Sequence, residues 1–89
     1  MAQKIMRYLL PGWDEFYAVL PKGAVILGIK RTRLLFKADP QATMICRRFR
    51  VLLKNEPPEN YPTFVGVVEG SPYASYVFTD EKEYETRRD

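Results

Sequence analysis

Residues 20–36 limit the fold of this chain more than any other stretch. Pro21, Lys22 and Gly23 form a turn signal, residues 24–29 an apolar run, and Lys30, Arg31, Thr32 and Arg33 a polar, basic break before Leu34, Leu35 and Phe36. Two short apolar runs joined by such a break read as a β-hairpin. The neighbouring strands are expected to add to its two edges. The pattern carries no catalytic signature.

The rest of the chain repeats this rhythm. Residues 3–10 alternate imperfectly and read as a first strand, closed by Pro11 and Gly12. Residues 15–20 alternate as a second strand. Apolar side chains at 13, 16, 17 and 20 also fit a helical turn, but the following turn signal favours strand. Residues 24–31 are apolar on both faces until Lys30, as in a central strand, and Gly28 marks a bulge or a close backbone approach. Residues 34–38 make the fourth strand, and Asp39 and Pro40 open a loop.

Residues 45–54 are the longest strand candidate. Ile45, Arg47, Phe49, Val51 and Leu53 share one face, with Arg47 the misfit. Cys46, Arg48, Arg50, Leu52 and Lys54 share the other, which is expected to meet solvent. Residues 55–63, with Pro57, Pro58 and Pro62, form a loop. Residues 64–69 and 74–79 make two further strands around a turn at 70–72. Strands at this spacing, with no amphipathic helix, predict an all-β fold: a small antiparallel sandwich or partly open barrel of six to seven strands. Residues 1–79 form a single β domain, and residues 80–89 a charged, solvated C-terminal tail.

Composition narrows the chemistry. At 89 residues the chain is one domain, and a single core must serve it. The lone Cys46 excludes an internal disulfide and suits a reducing compartment. No stretch has the order of a signal peptide or the length of a membrane span, so a cytoplasmic protein with no membrane partner is expected. With no histidine, the commonest general base and the commonest transition-metal ligand are missing. Cys46 reads as a small buried hydrophobe, or as a thiol activated by Arg47 and Arg48. No enzymatic activity, no cofactor and no metal site are expected.

Charge is the more useful signal. Residues 1–54 hold eleven Lys and Arg and three acidic residues, whereas residues 55–89 hold three and eight. The candidate partner-binding residues are Lys30, Arg31, Arg33 and Lys37 around the hairpin, with Arg48, Arg50 and Lys54 on the long strand. If these strands are neighbours, their cations form one basic surface for an acidic protein or nucleic acid. Tyr8, Tyr17, Tyr73 and Tyr76 are candidates for stacking on bases. A merely solvated basic face, neutralised by the acidic C-terminal third, is the competing reading. Trp13, with Phe16 and Tyr17, either covers one end of the core or, through Trp13 and Tyr17, offers aromatic contacts to a partner.

Lys4-Ile5-Met6-Arg7-Tyr8, then Leu20-Pro21-Lys22-Gly23-Ala24-Val25-Ile26-Leu27, Phe36-Lys37-Ala38-Asp39-Pro40, Arg48-Phe49-Arg50-Val51, Phe64-Val65-Gly66-Val67-Val68 and Tyr76-Val77-Phe78 together resemble a family of small uncharacterised all-β proteins of bacteria and their phages. The resemblance implies a compact β domain encoded by a phage or mobile element, located in the host cytoplasm, and brings no known activity. The expected function is non-catalytic binding to an acidic host protein, as an inhibitor for example. Nucleic-acid binding and homo-oligomeric assembly through strand edges are the alternatives.

Overall fold

The structure, a computed structural model, describes residues 3–70 and 73–86. It contains seven strands: β1 (Lys4–Leu9), β2 (Glu15–Pro21), β3 (Val25–Lys30), β4 (Arg33–Ala38), β5 (Met44–Leu52), β6 (Thr63–Val68) and β7 (Ser75–Glu85). They form two antiparallel sheets, one of three strands in the order β1-β4-β3 and one of four in the order β2-β5-β7-β6. The sheets pack as an open sandwich. The all-β class and the antiparallel sandwich are as the sequence predicts, and residues 13–16 make no helical turn.

The hairpin is present. Lys30 pairs with Arg33 across a two-residue turn, and Arg31 at its first position has φ 60°. A positive φ there gives the turn the twist that a tight hairpin needs. The strands around it do not add to its edges in sequence order. β4 is central, and β1 pairs with it from Lys4↔Ala38 to Leu9↔Arg33. β3, expected to be central, is an edge strand. One of its apolar faces is covered by packing between the sheets, with Ile26 and Ile29 set against the core, while Val25 and Leu27 stand half exposed.

The turn at Pro21, Lys22 and Gly23 connects strands of different sheets. The Ala24 N–H donates to the Pro21 carbonyl at 3.1 Å, and the Lys22 N–H donates to Thr43 at 2.7 Å. Gly23, at φ 80°, donates its N–H to the Glu83 carboxylate at 2.7 Å. These bonds turn the chain out of the four-stranded sheet before β3 begins.

Strict alternation builds the core. Phe16, Ala18 and Leu20 of β2 face Leu34, Phe36 and Ala38 of β4, joined by Phe49 and Val77. The rings of Phe16 and Phe49 stack at 5.3 Å, and Tyr8 stacks on Phe16 at 6.3 Å. Each fully buried aromatic or leucine side chain contributes about 2–3 kcal/mol.

The segment from residue 80 onward departs from expectation. β7 continues to Glu85, pairing Glu83 with Arg47, Tyr84 with Cys46 and Glu85 with Ile45. The cross-strand partner stabilises a run of charges that lacks any propensity signal of its own. Residues 87–89, and the part of the expected turn at 71–72, lie outside the described residues.

Candidate functional site

The sandwich divides the basic residues that the sequence reading joined. β5 is in the four-stranded sheet, between β2 and β7, so Arg48, Arg50 and Lys54 do not extend the hairpin's cations. The hydrogen-bonding order of the strands, which short-range pattern does not encode, decides this.

Arg48 and Arg50 are also half-buried. The Arg48 guanidinium lies 4.8 Å from the Tyr61 ring centre and 5.6 Å from that of Tyr84, and it pairs with Asp80 at 3.2 Å. Tyr61, only 3% exposed, donates its hydroxyl to Glu15. The proline-rich loop thus brings Tyr61 down over the outer side of the four-stranded sheet. Burial and the bond to Glu15 push the Tyr61 hydroxyl up to about 12. Burial works to raise the Asp80 carboxyl, but the Tyr84 hydroxyl, the Lys82 N–H and Arg48 outweigh it and hold it below the usual range. Burial likewise works against the Arg48 charge, and the bond to Tyr17 with the neighbouring Tyr61, Tyr84 and Asp80 more than offsets it. Here the acidic C-terminal third meets the basic strand, pairing Asp80 with Arg48. Lys54 is exposed, beside a cleft shared with Arg50 and Pro58.

Arg47, the misfit, points inward and is buried. Its Nη1 donates to the Ala24 carbonyl at 3.0 Å, tying β5 to the start of β3, and its Nε has no partner among the described residues. Cys46 is half-buried beside Tyr17 and Tyr84. Trp13 does not cover the core. It is 67% exposed because the Pro11-Gly12 turn holds it at the rim of a cleft with Leu10, Phe16 and Val51. Tyr17 is exposed on the other sheet, edge-on to Tyr84 at 5.8 Å.

The three-stranded sheet differs from this neutralised surface. Its strands and hairpin turn carry Lys4, Arg7, Lys30, Arg31, Arg33 and Lys37 and no carboxylate. The strands of the four-stranded sheet carry four cations against five carboxylates. Among the described residues the one ion pair is Arg48–Asp80, on that second sheet. Register puts Arg7, Arg33 and Lys37 on the outer face with Ile5, Leu9, Val25 and the half-buried Leu35. Lys30 stands directly opposite Arg33, a like-charge pairing that costs stability. Arg7, Lys30, Arg31 and Arg33 line a shallow groove with Thr32 and Leu35. Ile5, Leu9, Val25 and Leu27 are each at least half exposed around these cations.

The sequence reading identified four of these cations and missed Arg7, which reaches the outer face because β1 pairs with β4; Lys4, opposite Ala38, stands at the end of the strand on the register of the other face. None of the tyrosines proposed for stacking is on this face. Tyr8 points into the core, Tyr17 and Tyr76 belong to the other sheet, and Tyr73 precedes β7. Among the described residues, no group of three or more Cys, Asp or Glu is placed to hold a metal, and no helix is long and apolar enough to cross a membrane.

The fold and this face together define an open β-sandwich whose smaller sheet is basic, aliphatic and free of carboxylates. Comparison with protein-family models, with curated proteins and with solved structures finds no match.

Proposed function

We propose that the chain is a non-catalytic binding protein that docks on an acidic protein through the outer face of β1, β4 and β3. The observation that carries this reading is the absence of any carboxylate on a sheet bearing six cations. A solvated face that served only solubility would mix both signs, as the other sheet does. Repulsion between Lys30 and Arg33 works against the fold, and an acidic partner relieves it.

The exposed aliphatic side chains favour protein over nucleic acid. Contiguous apolar surface ringed by charge marks protein contacts, whereas a single-strand nucleic-acid site needs aromatic platforms, and this face has none. The uniform sign also opposes a symmetric dimer through this face, because a two-fold axis would set cation against cation. The resemblance to bacterial and phage proteins supports a phage or mobile-element origin and a partner in the host cytoplasm, where the chain acts on host machinery.

The test is capture from host lysate with the wild-type chain and with the variant Arg7→Glu, Arg33→Glu, Lys37→Glu, after nuclease treatment. We expect an acidic protein bound by the wild type and lost by the variant, with the thermal unfolding of the two chains alike. Equal capture by both chains, or binding that nuclease abolishes, overturns the proposal.

A further inference from the structure

Among the described residues four strands have an open edge: β1 and β3 in one sheet, β2 and β6 in the other. An open edge presents unpaired N–H and C=O groups to any extended chain. Three of these edges are blunted or unsuited. β3 and β6 each carry a break in register, at Ile26/Gly28 and at Phe64/Gly66. Such bulges bend a strand and interrupt its pairing. The two strands also lean on each other, since a Cβ on Gly66 would stand 3.1 Å from the Cβ of Ile29. β2 ends in Pro21, which has no N–H, and its Glu15 repels an acidic chain.

β1 is different. Its register with β4 runs unbroken from Lys4 to Leu9, with no bulge and no proline. Ile5 and Leu9 are 68% and 64% exposed on the outer face, with Arg7 between them. Long apolar edges are normally protected by charge. Here the only charges are positive, so the edge repels a basic strand and favours an acidic one.

We infer that β1 is a docking edge, to which an extended acidic segment of the partner adds as a fourth strand of the smaller sheet. The inference rests on the reading above that the partner is an acidic protein, and it specifies how that partner is held. Backbone hydrogen bonds along Lys4–Leu9 supply a sequence-independent grip. Selectivity comes from the outer face, where the positions opposite Ile5, Arg7 and Leu9 take an apolar, an acidic and an apolar side chain in alternation.

The experiment uses the full chain and two short, end-capped synthetic peptides, one alternating valine with glutamate and the other valine with lysine. Amide hydrogen exchange is followed by NMR. At saturating acidic peptide, the outward-facing amides of Lys4–Leu9 exchange roughly tenfold or more slowly, while amides of β3 and β6 are unchanged. The lysine peptide has no effect. In the variant Arg7→Glu the preference between the peptides shifts by roughly tenfold towards lysine.

Acidic peptide that binds without slowing β1 amides, perturbing only residues such as Arg33 and Lys37, overturns the docking edge and leaves the basic-face reading standing. Equal protection by both peptides overturns the charge selection and with it the proposal. Absence of acidic-peptide binding, where the lysate partner is still captured, also overturns the docking edge, because the partner is then held by a preformed surface. Loss of both overturns the wider reading as well.

Discussion

The substitution Gly66→Ala tests the sandwich at the point where its two sheets meet edge to edge. Gly66 does not occupy the left-handed region of the backbone, so alanine brings no conformational strain of its own. The cost is steric. The new methyl group would lie 3.1 Å from the Ile29 Cβ, 3.2 Å from the Ile29 nitrogen and 3.3 Å from Cγ1. Ordinary carbon contacts lie at about 3.5–4.0 Å. One of the three contacts is backbone, so a rotamer change cannot relieve it, and β3 and β6 must separate by a few tenths of an ångström. Overpacking of this kind costs about 1–3 kcal/mol. Replacing glycine reduces the entropy of the unfolded chain and returns about 0.4–1 kcal/mol. The net expectation is destabilisation of about 1–2 kcal/mol, or roughly 4–16 °C in Tm for a domain of this size. Urea unfolding of the two chains at equal slope measures it. Unchanged or increased stability would show that β3 and β6 do not pack as described.

Two more predictions concern single side chains. Arg31→Gly removes the strain of a positive φ at a non-glycine residue, about 1 kcal/mol, and incurs a similar entropic cost, so stability should change by less than about 1 kcal/mol. Binding of an acidic partner should weaken; a loss of more than about 2 kcal/mol in stability would assign Arg31 to the fold instead. Tyr61, whose hydroxyl is pushed up to about 12, is favoured in its neutral form by the folded state. Its contribution is therefore complete below the ordinary tyrosine range near pH 10 and is lost as pH rises towards 12. Tyr61→Phe should cost about 1 kcal/mol at pH 7 through the lost bond to Glu15 and should flatten stability between pH 10 and about 12. An alkaline unfolding curve unaltered by the substitution would remove that assignment.

Short-range pattern determined much of this protein. Alternation at Phe16, Ala18 and Leu20, at Leu34 and Phe36, and at Ile45 and Phe49 has the period of a strand, and water enforces it by burying one face. Strand identity, the hairpin and the antiparallel sandwich follow from that, as does the misfit status of Arg47. Pairing between distant strands is set by how whole faces fit, and no local signal reports it. Only the tertiary structure placed β1 beside β4, gave β7 its extension to Glu85, and put Arg48 under Tyr61 and against Asp80. The same pairing sorted the charges. Residues that look like one basic half and one acidic tail along the chain become a neutralised sheet and a sheet with cations alone, because Coulombic partners are chosen by distance in space and not by distance in sequence.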